Sequence, residues 1–204
     1  MTSIFISYSS KEIKIAETVQ EYLEDNGFDI WRDKSKIRRD WSKEIAYALS
    51  RQDVALILWS EDSSESQWVK NEWITARALG KPINLVVIGT ALEKLPIPLR
   101  NLNAIVVKNS IINPDIMQQI IKKIKDTAAL KIEYDYKILP SKRYIPYNPN
   151  PDFTGRSTEL LDLYIEVLGH LSKLNYSNVG LVGIGGVGKT QLAVEFAYRF
   201  GYAI

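Results

Sequence analysis

The sequence predicts an α/β fold built on a flavodoxin-like, five-stranded parallel sheet. Short apolar runs alternate along the chain with amphipathic segments, and the central run VALILW at residues 54–59 is apolar without a break. A half-exposed strand alternates polar and apolar residues, whereas an unbroken apolar run of this length suits a strand covered on both faces by helices. Alternation of such strands with helices implies parallel crossovers, and the strand order 2-1-3-4-5 is natural at this size.

Residues 4–7 read as the first strand, ended by Tyr8, Ser9 and Ser10, which suit a helix cap. From 11 to 26, Ile13, Ala16, Val19, Tyr22 and Leu23 recur at helical spacing, and Gly27 stands where a left-handed C-cap residue is expected. Residues 28–31 form a second strand, DKSKIRRD a charged loop, 41–49 a second helix and 53–59 the central strand. SEDSSES then reads as a polar loop and cap before a helix over 67–79, closed by Gly80 and Pro82. Residues 84–88 and 104–107 are further buried strands, and 114–129 is a long amphipathic helix.

The first domain is thus expected over 1–130. Residues 131–152 form a linker, where IEYDYKILPSKRYIPYNPNPD carries four prolines and four tyrosines and no helical period. Residues 153–204 begin a second, incomplete α/β segment: a loop, an amphipathic helix to about residue 174, a short strand at 179–183 and a helix over 191–200.

Composition narrows the function classes. Hydrophobic residues make up 46% and charged residues 25% of the 204, enough for a core and unlike a disordered chain. The net charge of +2, from 26 basic and 24 acidic residues, supplies no overall attraction to nucleic acid or anionic lipid. The runs Lys34, Lys36, Arg38, Arg39 and Lys122, Lys123, Lys125 read as solvated faces. Cysteine is absent, which excludes disulfides, thiolate catalysis and cysteine metal sites. The N-terminus lacks a signal-peptide pattern and no segment approaches the roughly 18 apolar residues of a membrane span, so a cytoplasmic protein without membrane or nucleic-acid partners is expected.

Residues 183–190 spell GIGGVGKT, a full match to the P-loop pattern between an apolar run and a helix. Gly183, Gly185, Gly186 and Gly188 let backbone N–H groups face a phosphate. Lys189 places a charge at the β and γ phosphates, and the Thr190 hydroxyl suits magnesium in a complete domain. Hydrolysis also needs an acidic residue on a later strand, so ATP hydrolysis is not expected from these residues.

In a sheet of this order, ligands sit beyond the carboxyl ends of the first and third strands. Glu72 and Trp68 are four residues apart on the helix after the third strand and share a face near that cleft. The bland reading of Glu72 is an exposed acid favoured by the helix dipole. Trp31, Trp41, Trp59 and Trp73 read first as core residues, and His170 as a surface or packing residue.

Two resemblances follow from these motifs. FTGRSTELLDL followed by GIGGVGKTQLAVEFAYRF resembles the opening of the STAND-class nucleotide-binding modules of NB-ARC type, which implies ATP or ADP and Mg2+ at the loop of a full-length parent. IFISYSS, GFDIWRDK, VALILWS and SQWVKNEW resemble, in order and spacing, the Toll/interleukin receptor (TIR) domain over about residues 1–128. In TIR domains that cleave NAD+, a Trp followed four residues later by Glu marks the catalytic carboxylate, which places that role on Glu72 after Trp68. The resemblance implies NAD+ as substrate with no cofactor, cleavage to nicotinamide and ADP-ribose or a cyclic ADP-ribose, homotypic self-association and a place in immune or defence signalling. Trp68 or Trp31 would then stack on nicotinamide, with Ser7, Tyr8, Ser9 and Asp33 at the ribose or phosphates. Glu12 and Asp40 depart from the common Asp and Gly of that pattern. The rival reading is a non-catalytic module that signals by TIR to TIR contact alone.

Overall fold

In the computed structural model, residues 1–32, 43–89, 91–108, 111–129, 145–171 and 179–201 are described, without the side chains of 43, 44 and 168–171. Two compact units divide the chain, Met1–Glu133 and Tyr134–Ile204.

The first unit runs β1 (Ser3–Ser7), α1 (Ile13–Asp25), β2 (Asp29–Trp31), α2 (Lys43–Arg51), β3 (Val54–Trp59), α3 (Glu61–Glu65), α4 (Gln67–Ala78), β4 (Ile83–Ile88), α5 (Ile97–Arg100), β5 (Ile105–Val107) and α6 (Pro114–Ala128). The strands form one sheet in the order β2-β1-β3-β4-β5, and every pairing is parallel. This is the predicted order. All six residues of β3 are buried, as expected of a central strand covered on both faces.

Side-chain alternation along β1 divides the core. Ile4 and Ile6 join Leu56, Leu58, Val86 and Ile88 under α1 and α6, where Ala16, Val19, Leu23, Met117, Ile120 and Ile124 complete the larger cluster. Phe5 points to the opposite face and packs with Ala55, Ile45 and Leu49 of α2 and Ala76 of α4. The helices owe their ends to local chemistry. Gly27 after α1 has φ +83, the left-handed conformation read from the sequence. Ser66 accepts from the Val69 N–H at the start of α4, and Asn113 accepts from the Ile116 N–H at the start of α6, with Pro114 at the first helical position.

Three expectations are corrected. The helix expected from residue 11 opens instead with a 3-10 turn, Ser10–Glu12, capped by Ser9, and only then becomes α1. SEDSSES is not merely a loop, because Ser60 accepts from the Ser63 N–H and Glu61 and Asp62 occupy the first turn, where a helix dipole favours acids, so α3 forms. The ion pairs Lys11–Asp62 and Lys94–Glu61 flank it.

The second unit contains α7 (Ser157–Leu171) and α8 (Lys189–Arg199). Leu160, Leu161 and Tyr164 of α7 and Leu192, Val194 and Phe196 of α8 are buried, and Phe200 stacks on both Tyr164 and Phe196 with centroids 4.3 and 5.3 Å apart. The third correction lies here: the strand expected at 179–183 is not a strand, and Val182 is 98% exposed. A strand needs a neighbour to take its backbone hydrogen bonds, and the described residues of this unit contain none.

Candidate active site

Ser7 is the last residue of β1, paired with Ile57 of β3, and so stands at the carboxyl end of the sheet where the winding reverses. By alternation its side chain shares the face of Phe5, the side covered by α2 and α4. Glu72 reaches the same place from the sixth position of α4. The Ser7 Oγ–H donates to Glu72 Oε2 at 2.5 Å, and the two residues are 1% and 3% exposed. The reading of Glu72 as an exposed first-turn acid is therefore overturned. A carboxylate this deep loses hydration that only hydrogen bonds or partner charges replace, which makes its retention a mark of function or of a polar network.

The predicted aromatics flank this region on the same face. Trp31 stacks on Phe5 with centroids 4.8 Å apart, and Trp31 and Trp68 are both partly buried against the Phe5 cluster. Beside Trp31 lies an open cavity of about 400 Å³ lined also by Tyr47, Ala48 and Arg51 of α2 and by Gln52 just after it. Trp59 and Trp73 are core residues, each 3% exposed.

Tyr8 and Ser9 do not join the group. Tyr8 packs on the opposite cluster, and its hydroxyl accepts from Arg32 Nη1 at 2.9 Å while the guanidinium lies 5.7 Å from its ring centroid. Arg32 also pairs with Glu17 at 3.2 Å, so the end of β2 is tied to α1. Arg32 lies within the GFDIWRDK segment but had no role assigned from the sequence; its place directly after the strand-ending Trp31 was the available signal. Ser9 is a cap, accepting from the Lys11 N–H. Asp33, Lys34, Lys36, Arg38, Arg39, Asp40 and Trp41 lie outside the described residues, as does the His170 side chain. Of the second basic run, Lys122 and Lys125 are exposed on α6, whereas the Lys123 amine is enclosed without a hydrogen-bond partner and burial pushes its pKa down.

The GIGGVGKT loop at 183–190 can be described on its own. Gly188 precedes α8 with φ +87 and Gly186 has φ +78, both in the left-handed region that favours glycine. Lys189 Nζ donates to the carbonyls of Gly183 and Ile184, each at 2.8 Å, so the loop curls around its own cation. Arg156, itself in a left-handed conformation, donates to the Val187 carbonyl at 2.7 Å and lies within 4 Å of where a Cβ on Gly188 would stand. A cavity of about 470 Å³ opens beside the loop, lined by Gly186, Gly188, Lys189, Thr190 and Gln191 with Tyr147 and Asn148. Of its lining residues only Lys189 is a cation, and it stands at the first position of α8.

A family model for the TIR domain matches residues 4–121. The chain belongs to the TIR domain family. The TIR unit's five-stranded parallel sheet agrees with that membership. Among solved structures, the chain is similar to a metazoan TIR-STING receptor from C. gigas, at 21% identity and TM-score 0.46 over 59% of this chain. It spans 39% of that receptor's length. It is also similar to the TIR domains of the activated Roq1 resistosome that directly recognizes the pathogen effector XopQ, at 11% identity and TM-score 0.39, covering 81% of this chain and 98% of that one. No curated protein sequence matches it. Among the described residues, no helix is long and apolar enough to cross a membrane, and no group of three or more His, Asp or Glu residues is arranged to hold a metal ion.

Proposed function

We propose that the TIR unit is an NAD+ glycohydrolase with Glu72 as its catalytic carboxylate. The single observation that supports this most is the buried Ser7–Glu72 pair at the switch point of the sheet. In this reaction the bond from ribose C1′ to the nicotinamide nitrogen breaks, and its electron pair returns to the ring nitrogen. Nicotinamide leaves neutral, because that nitrogen was already cationic, so no general acid is needed. The barrier lies in the oxocarbenium-like ribosyl centre, and a nearby carboxylate in a water-poor site stabilises it. Water then gives ADP-ribose, or an adenine nitrogen gives a cyclic product. Trp31 and Trp68, packed on the same face as Phe5, would in this reading cover the nicotinamide ring.

We read the second unit as an NB-ARC-like phosphate loop, in which Gly183, Gly185, Gly186, Gly188 and Lys189 hold the phosphates of ATP or ADP and Thr190 holds Mg2+. In this reading TIR units are brought together by self-association in a cytoplasmic defence protein. This reading assigns no nucleic-acid or membrane partner.

One observation favours the rival reading of a non-catalytic interaction module. Glu72 is 3% exposed, so substrate reaches it only if the surrounding loops move or a second copy reshapes the site. Concentrated protein, with and without artificial clustering, decides between the two when nicotinamide release is followed by chromatography. The Glu72→Ala variant is expected to lose about a hundredfold or more of turnover with its circular dichroism unchanged. Equal turnover in both proteins would remove Glu72 from the mechanism, and no turnover even when clustered would leave the interaction module.

A further inference from the structure

Ser7 and Glu72 are 65 positions apart in sequence, and their bond is buried. The sheet register holds the Ser7 backbone, because Ser7 is paired with Ile57, and alternation directs its side chain to the α4 side. Its one hydroxyl proton is directed to Oε2 of Glu72, at the short end of the range for a hydroxyl on a charged carboxylate. A hydroxyl on an ordered strand, committed in this way, has no proton left to offer a ribose or phosphate oxygen.

We propose that Ser7 is a positioning residue that acts through Glu72: its hydroxyl holds the carboxylate ionised and in one orientation beneath the ribosyl centre. This rests on the reading of Glu72 as the carboxylate of NAD+ cleavage, and it replaces the expectation that Ser7 touches substrate directly. Donation to the charged form favours that form, and a fixed charge in a poorly hydrated site acts on a developing cation without having to reorganise.

The test uses the full chain with Ser7→Ala and the isosteric pair Ser7→Thr and Ser7→Val, which differ only in the hydroxyl. Loss of the hydroxyl is expected to lower kcat roughly tenfold to a hundredfold with KM held within about twofold, while Ser7→Thr recovers most of kcat. Carbon-13 NMR of the Glu72 side-chain carboxyl, assigned with Glu72→Gln, needs no turnover. Its titration is expected to move to higher pH in Ser7→Ala and Ser7→Val and to return in Ser7→Thr. If wild-type protein cleaves no NAD+ but the titration moves in this way, the enzymatic reading fails and the hold of Ser7 on Glu72 stands. A titration that does not move, a raised KM with kcat unchanged, or equal behaviour of the Thr and Val variants would overturn the proposal.

Discussion

Leu56 and Val182 both belong to aliphatic runs that read as buried strands, yet Leu56 is 0% exposed and Val182 is 98% exposed. Leu56 lies in β3, hydrogen-bonded on one side to β1 and on the other to β4, with helices over both faces. The run around Val182 has no strand beside it among the described residues, and Ile184 next to it is 80% exposed. An apolar run is thus a request for neighbours. It becomes a strand only where others supply backbone partners and cover, so the same local pattern yields a buried core in one unit and an exposed segment before the GIGGVGKT loop in the other.

Paired truncations test that contrast most strongly. Leu56→Ala is expected to cost the TIR unit about 2–5 kcal/mol, from lost burial and the cavity left behind, whereas Val182→Ser should stay within about 0.5 kcal/mol. Urea denaturation of both variants measures this, and a cost above about 1 kcal/mol at Val182 would mean that its run is packed after all. A smaller effect is expected at the phosphate loop. Lys189→Ala removes a cation that now rests on two loop carbonyls, and it should weaken binding of a fluorescent ATP analogue by roughly tenfold to a hundredfold. Unchanged affinity would mean that the glycine loop does not use this lysine.

The smallest effect concerns two lysines of the TIR unit. Burial lowers the amine pKa of Lys81, against the opposing pull of Asp53, and burial lowers that of Lys123. Between each folded value and the unfolded value of 10.5, the unfolded chain binds more protons than the folded one, so stability rises with pH across that window. Lys123→Met keeps the aliphatic stem and removes the enclosed amine. It should add about 0.5–1 kcal/mol near pH 7 and flatten the alkaline rise, leaving the share due to Lys81. Urea melts at neutral and alkaline pH measure both effects, and an unchanged slope would place the Lys123 amine in water.

Legibility followed the range of the interactions involved. Gly27, the capping serines and the unbroken VALILW run act within a few residues, and their roles could be read directly. The strand order followed from the alternation of elements because parallel crossovers leave few arrangements. The candidate site was legible in part. The spacing of Trp68 and Glu72 is a local property, and the place of Ser7 at the end of a strand follows from the period of two. That Tyr8 turns to the other face also follows from that period, but its hold by Arg32, sent from the end of β2, does not.

By itself, then, the sequence determined most elements of the first unit, its sheet order, the GIGGVGKT motif and the spacing of Trp68 and Glu72, since these depend on side-chain type and period along a single segment. Only the tertiary structure decided that Glu72 is buried, that Ser7 is its hydrogen-bond donor and that the run before the phosphate loop stands unpaired. Each of these depends on what other segments, distant in sequence, bring to the same point in space: packed neighbours around Glu72, the Ser7 hydroxyl as its donor, and, beside the run at 179–183, no strand among the described residues.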